Sequence, residues 1–364
     1  MEILKNLANN IKENFEQSYK VLFYKISNTH EKEKIYRLLS SNPNIRIYDE
    51  LQSQLSELIK LQNPSTKFSQ SELESAVTNY LGECPADEYG VWVYYPWSDR
   101  LVHLLNENEF ILLRTSRNTY KITPEERDIL AQKIVGVIGL SVGQSVSLAL
   151  TMERSFGELR IADFDTLEMT NLNRIRTGVH NLGVRKTVAT AREIAEIDPF
   201  LKVTCFHEGI TEQNMDQFFL EGGKLDALIE ECDSLDIKIK SRIQARKLGI
   251  PVIMDTSDRG MLDIERFDLE PDRSLFHGLI DHLDFENSSN QFSADRIELI
   301  YAILDKNNLS DRLKLSIDEI GKSIKTWPQL ASSVIAGGAN AADAYRRIML
   351  KMPLKSGRYY LELE

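Results

Sequence analysis

The chain has 364 residues, 42% of them apolar and 27% charged, with a net charge of −11. That length suggests about two domains, and the balance is that of an ordinary soluble globular protein rather than a disordered or fibrous one. The acidic balance without a basic run disfavours general nucleic-acid binding and leaves room for a local cationic pocket. No apolar run approaches the ~20 residues of a membrane span, the charged start MEILKNLANNIKENFEQ is unlike an export signal, and a cytoplasmic location is expected.

In chain order, Leu4, Leu7, Ile11 and Phe15 recur at helical spacing, residues 21–24 read as a strand, and helix, strand and helix follow at 33–39, 45–48 and 51–61. Asn63 and Pro64 stop the last of these. A helix over 72–81 leads to VWVYYPW at 91–97, whose alternation marks a half-buried strand, with 101–105 and 110–113 as its pairing strands. Trp92, Tyr94, Tyr95 and Trp97 read as core between sheet and helices rather than as a binding platform. Residues 1–110 therefore form a small α/β region of their own, and nothing in them specifies a role.

Thr123, Pro124 and Glu126 make a capping box with proline at the first helical position. That helix delivers the chain to the apolar run 134–138, which Gly139 breaks before helical spacing resumes at Val146, Ala149 and Leu150. The pattern is strand, tight glycine turn, helix. A second strand, 159–162, ends at Asp163, near the ~20-residue separation at which a dinucleotide fold places the acid that holds a ribose hydroxyl. The glycine pattern is incomplete, since an ungapped GxGxxG reading meets Gly139, Ser141 and Gln144, with Gly143 one place off.

Lys186 opens a helix to residue 197, and strands follow at 203–206, 227–229 and 251–254. Gly139, Asp163 and Asp233 all fall at strand carboxyl ends, where open parallel sheets bind ligands. Beyond Asp255 the text TSDRGMLDIERFDLEPD is turn-rich and charged. Helices are expected at 292–304, 310–324 and 329–350. Gly337 and Gly338 inside the last cost about 1 kcal/mol each relative to alanine, which points to close packing against backbone. His277 and His282 have no ligating companions, and Cys84, Cys205 and Cys232 form no CxxC pair.

On this frame stand RTSRN at 114–118, Asp163 with Asp165, TNLNR at 170–174, GVRK ending at Lys186, IDP at 197–199 and ECD ending at Asp233. Their order resembles the ThiF/MoeB-type adenylating family, relatives of the ubiquitin-activating enzymes, whose pattern is a glycine turn, DxD, sNLnRQ, GxxK and a strand ending in TD. The late segment SSVIAGGANAADAYRR, with Tyr345, is similar to the family helix that returns to the nucleotide domain. RTSRNTYKIT, ADFDTLEMTNLNR and TWPQLAS together look closest to bacterial proteins in which a ThiF-like part precedes a flavin nitroreductase-like part.

The resemblance implies an α/β fold with a Rossmann-like, mainly parallel sheet over residues 111–364, helical from about 271 onward. It implies ATP and Mg²⁺, and adenylation of a carboxylate on a small protein's C-terminus or a small metabolite, with release of pyrophosphate. By motif, Arg174 and Lys186 would lie on the triphosphate, Asp163 on the ribose, and Asp233 on Mg²⁺. Gly139, Ser141, Gly143 and Asp165 would line the nucleotide, Asn171 and Asn173 would set the phosphate-loop geometry, and Arg117 would reach across a homodimer into the partner's site. Many family members hold zinc on two CxxC pairs and some carry a thioester cysteine; this sequence has neither pattern, so no zinc and no catalytic cysteine are expected.

Taken singly, these residues have plainer readings: Asp163 and Asp233 as caps, Arg174 as a partner of Asp165, Lys186 as a solvated charge. Ser141, Val142 and Gln144 also replace family glycines, and Lys238 stands where an arginine is usual. Two alternatives to the enzyme stay open: a ThiF-like scaffold or regulatory module for a nitroreductase-like partner, and a nicotinamide-binding oxidoreductase.

Overall fold

The computed structural model describes residues 18–282 and 299–362. The helix expected around Leu4–Phe15 lies outside them, as does most of the one expected at 292–304. The chain divides into two compact units, the first running to Pro124 and taking in Ala195–Phe200, the second comprising Glu125–Ile194 and the chain from Leu201 onward.

In the first unit the order is β1 (Leu22–Tyr24), α1 (Thr29–Ser41), β2 (Arg46–Asp49), α2 (Leu51–Gln62), α3 (Gln70–Leu81), β3 (Val91–Tyr95), β4 (Arg100–Leu104) and α4 (Glu107–Arg114). The helix starts are written in the sequence: Asn28 accepts from the backbone of His30 and Glu31, and Ser69 with Glu72 closes a capping box. The strands form one sheet in the order β1-β3-β4-β2. Trp92, Tyr94 and Tyr95 are buried, and the Trp92 ring stacks on His103 with centroids 4.1 Å apart. The core reading holds for these three, whereas Trp97 is only half-buried and donates through Nε1 to Glu196 at 2.7 Å.

The strand expected at 110–113 is instead helix α4. A short apolar run fits either period, and here Phe110 and Leu113, three residues apart, pack one helical face against the cluster of Leu51, Leu55 and Leu58.

The second unit runs α5 (Pro124–Leu130), β5 (Ile134–Ile138), α6 (Gly143–Glu153), β6 (Glu158–Ala162), α7 (Lys186–Ile197), β7 (Lys202–Phe206), α8 (Met215–Leu220), β8 (Ala227–Glu230), α9 (Leu235–Leu248), β9 (Val252–Asp255), β10 (Leu262–Glu265), α10 (Asp311–Glu319), α11 (Ala331–Met349) and β11 (Gly357–Tyr359). The sheet has seven strands in the order β11-β10-β9-β8-β5-β6-β7. From β9 to β7 every pairing is parallel, whereas β10 and β11 add antiparallel edges. Strand order reverses at β5, so a doubly wound sheet opens its crevice beside the carboxyl end of that strand.

Strand β10 replaces the loop expected after Asp255. Its charged residues alternate with apolar ones, yet Asp263 and Glu265 are buried because Arg358 and Arg242 pair with them at 2.7 and 2.8 Å. The helix expected at 310–324 ends at Glu319, short of Gly321, whose φ is +82°. Gly337 and Gly338 do sit in close contact: a Cβ on Gly338 would meet Ser145 and Val146 of α6 at 2.6 to 3.0 Å, and one on Gly337 would meet the Asp255 carboxylate at 2.1 Å.

Candidate active site

The site is built from the carboxyl ends of β5, β6 and β8. Gly139 follows β5 with a φ of +86°, and a Cβ there would come within 2.7 Å of the Glu231 and Cys232 backbone. Gly143 begins α6, where a Cβ would meet Val137 at 2.6 Å. Both glycines are thus required by packing of the turn on its own sheet, whatever binds above it. The loop between them ends at α6, whose first backbone N–H groups are the usual place for an anion.

Asp163 fastens that loop to the next strand end. One carboxylate oxygen accepts from Leu140 N at 2.7 Å and the other from Asp165 N at 2.8 Å. The side chain is buried, and burial raises its carboxyl above the ordinary value while Lys186 and the two backbone donors oppose the shift. It caps the turn, and its unused lone pairs can still accept a hydroxyl. Lys186, at the first position of α7, places Nζ 2.7 Å from Asp165 and 3.9 Å from Asp163. It is only 7% exposed, so a solvated charge is not what the fold makes of it.

Arg174 does not pair with Asp165. Its guanidinium donates to Ser141 Oγ at 3.0 Å, to Thr170 O at 3.1 Å and to Asn173 Oδ1 at 3.0 Å. Nε is buried without a hydrogen-bond partner, and among the described residues Arg174 makes no ion pair. Burial lowers the pKa of this cation, opposed by the field of Asp233. The neighbouring Gln144 donates to Arg176 O and accepts from Arg176 N, at 3.1 and 2.8 Å, so of the glycine-replacing residues Ser141 holds the end of TNLNR against the loop and Gln144 holds the residues just after it.

Other expected site residues are placed as follows. Asn171 is buried and accepts from Glu168 N at 2.9 Å, a local turn, while Asn173 donates to Gln329 O at 2.7 Å ahead of α11. Asp233 is exposed after β8, and the cap of α9 is Ser234 rather than Asp233. Among the described residues no group of three or more His, Cys, Asp and Glu could hold a metal ion. Arg117 lies in a 3₁₀ turn, Ser116–Asn118, of the first unit. Burial and the nearby Glu230 push the Cys232 thiol well above its ordinary pKa, which disfavours a thiolate there.

Comparison with known proteins adds to this geometry. Residues 115–294 match the model of the ThiF family. Those residues are a ThiF-family domain. A protein of Mycobacterium tuberculosis is 43% identical over 272 residues, which is 75% of this chain and 38% of that protein. The tRNA threonylcarbamoyladenosine dehydratase of Bacillus subtilis is 28% identical over 160 residues, 44% of this chain and 62% of that enzyme. The chain therefore spans less than two thirds of the length of either relative. Among solved structures, the Escherichia coli tRNA N6-threonylcarbamoyladenosine dehydratase in complex with ATP aligns over 68% of this chain and 97% of its own, at 18% identity and a TM-score of 0.49.

Beside the ThiF-type loop the second unit also holds a cavity of about 530 Å³ that sequence reading did not find. Glu231 and Asp255 line it, both buried, with Asp255 N donating to Glu231 Oε1 at 2.9 Å. Burial raises the Glu231 carboxyl well above its ordinary value, and it lifts Asp255 to about 6. The signal available in sequence was the run of acids at two adjacent strand ends, but it reads equally as solvated turns.

Proposed function

We propose that the chain catalyses ATP-dependent adenylation of a carboxylate, with release of pyrophosphate and without a covalent cysteine intermediate. The observation that carries this reading is Arg174: a half-buried guanidinium in no ion pair among the described residues, offset only by the field of Asp233, hydrogen-bonded to the loop that opens α6 and with one nitrogen unpaired. A half-buried cation outside any ion pair is a binding group for an anion that arrives from outside. Lys186 stands one carboxylate away from the same loop, through Asp163 and Leu140. Two cations at a helix start suit a triphosphate better than the pyrophosphate of a nicotinamide dinucleotide, for which backbone N–H groups suffice.

The residues present fit this substrate. Asp163 retains acceptor capacity for a ribose hydroxyl, and Asp233, exposed at the strand end, can contribute one ligand to Mg²⁺, whose remaining positions are ordinarily water and phosphate oxygens. Bound Mg²⁺ would neutralise phosphate charge and favour departure of pyrophosphate. The attacking carboxylate is already ionised near neutral pH and needs no general base, so the chain's contribution is position and positive charge. Lys186 would leave Asp165 for the triphosphate, and Arg174 would turn its unpaired nitrogen to it. A unit charge pair near 4 Å at an effective dielectric of about 20 is worth roughly 4 kcal/mol before desolvation.

The ThiF-family domain supports the same reaction class. A small protein's C-terminus and a small metabolite are both acceptors within this reading, and homodimerisation belongs to it as well. The test is isotope exchange between labelled pyrophosphate and ATP with the full chain and a panel of carboxylic acids. Acid-dependent exchange that disappears in Lys186→Ala and Arg174→Ala is expected. ATP binding without exchange across a broad panel would favour a regulatory role, and a response to NAD alone would favour an oxidoreductase.

A further inference from the structure

The cavity beside the loop is lined by Val142, which precedes α6, and by Asp233, Asp255 and Thr256, with Leu313 and Trp327 among its apolar walls. Its volume of about 530 Å³ lies within the range of small-molecule sites. Two of its polar residues are incompletely bonded. Asp255 accepts from Ser257 Oγ at 2.9 Å through one oxygen, while its other oxygen, and the hydroxyl of Thr256, have no hydrogen-bond partner. Asp255 is 5% exposed and its carboxylate lies against Gly337 of α11, so both unpaired atoms are closed to bulk water in this structure. Lys238 also lines the cavity, but its ammonium is taken by Glu230 at 2.9 Å and leaves Asp255 uncompensated.

A carboxylate oxygen can only accept, so whatever completes it must donate. An apolar group or a second anion would leave it unpaired in a buried place. An ammonium offers three donors and the opposite charge. It can serve Asp255 and the acceptor lone pairs of Thr256 together, whereas a hydroxyl brings a single donor. Binding therefore requires both side chains to turn: the terminal torsion of aspartate is soft, and a change of the Thr256 χ1 rotamer brings its hydroxyl round.

We propose that this cavity binds a small carboxylic acid that also carries an amino group, the amine held by Asp255 and Thr256 and the apolar body against Leu313 and Trp327. Its carboxylate is then directed towards Val142 and the loop where Arg174 waits. The position of the carboxylate rests on the adenylation reading; the amine subsite rests on the cavity alone. A site built around a hydrogen-bonding group rejects the analogue that lacks it, because the buried partner is then left unpaired.

The experiment uses the full chain and three matched pairs: L-leucine with 4-methylpentanoate, L-phenylalanine with 3-phenylpropanoate, and L-methionine with 4-(methylthio)butanoate. Binding is measured by calorimetry, with and without ATP and Mg²⁺. At least one amino acid is expected to bind tenfold or more tightly than its deaminated partner. Asp255→Asn should remove most of that ratio, and Thr256→Val should reduce it several-fold, in variants whose thermal unfolding remains cooperative. Failure of every amino acid to bind, preference for a deaminated acid, or a ratio untouched by Asp255→Asn overturns the proposal. Pyrophosphate exchange separates the two readings. Asp255-dependent amino-acid binding with no exchange sinks adenylation and leaves the amine subsite standing, while exchange supported only by deaminated acids does the reverse.

Discussion

The guanidinium of Arg174 donates to Ser141 Oγ at 3.0 Å, which joins the TNLNR segment to the loop that opens α6. Ser141 stands where the family pattern has a glycine, and the side chain is used to hold the cation rather than to crowd it out. Arg174→Ala should therefore weaken ATP binding with little effect on stability, since no ion pair is lost. A charge-assisted hydrogen bond worth about 1.5–3 kcal/mol corresponds to a ~10- to 100-fold change in Kd, read by calorimetry. Arg174→Lys keeps the charge without the planar fork and should recover only part of it. An unchanged Kd in Arg174→Ala would remove the main support for the nucleotide site.

Lys186 has a structural task as well as a proposed chemical one, because it is the strongest influence holding the buried Asp163 carboxyl down against desolvation. Lys186→Ala leaves that carboxylate without its cation and should destabilise the free chain by about 3 kcal/mol near neutral pH. Adding Asp163→Asn should restore part of the loss, since the two changes share one interaction. Thermal unfolding should also register a smaller upward shift with ATP and Mg²⁺ for Lys186→Ala, with any NAD response unaltered. Additive single and double variants would mean that the 3.9 Å pair carries no energy.

The parallel half of this sheet was legible in the sequence because β5 and β8 are short buried runs of mostly apolar residues bounded by turn residues, and β6 keeps Leu159, Ile161 and Ala162 beside a buried Arg160–Glu158 pair. Strand β10 was not legible, because Asp263 and Glu265 read as solvated until Arg358 and Arg242, distant in the chain, are seen to neutralise them. Helix α4 was misread for the opposite reason, its short apolar run fitting both periods. The motif residues near the loop could be located by order alone, but not their partners: nothing in the sequence says that Lys186 meets Asp165 or that Arg174 meets Ser141. The cavity is beyond sequence reading altogether, since Val142, Asp255, Leu313 and Trp327 meet only through the fold.

Gly139→Ala tests the packing account of the glycine turn. The new Cβ would stand 2.7 Å from backbone atoms of Glu231 and Cys232, which cannot move as a side-chain tip can, and the residue would keep a φ of +86°. Strain from the left-handed backbone and from the overlap together should cost roughly 2–4 kcal/mol. Urea unfolding should show a lower midpoint with the same slope. At Gly143 the obstacle is a Val137 methyl, a side-chain atom that can shift, so Gly143→Ala should cost less. Equal costs at the two positions would contradict this reading.

Asp255 makes a prediction about pH whose sign follows from burial. Desolvation raises its carboxyl to about 6 from the ordinary 3.8, only partly offset by Ser257, so the folded chain binds this proton more tightly than the unfolded chain. Between those values the folded state carries more protons, and stability must fall as pH rises from about 4 to 6, then level off. Two pH units correspond to about 3 kcal/mol. Other buried acids titrate in the same window, so the quantity to measure is the difference between wild type and Asp255→Asn, which keeps the shape and removes the charge. That variant should match wild type below pH 4 and become the more stable of the two as pH rises through 6, by as much as about 3 kcal/mol at pH 7 in urea unfolding. Parallel pH profiles would show that Asp255 carries no desolvation penalty, and its unpaired oxygen would then have no claim on a ligand.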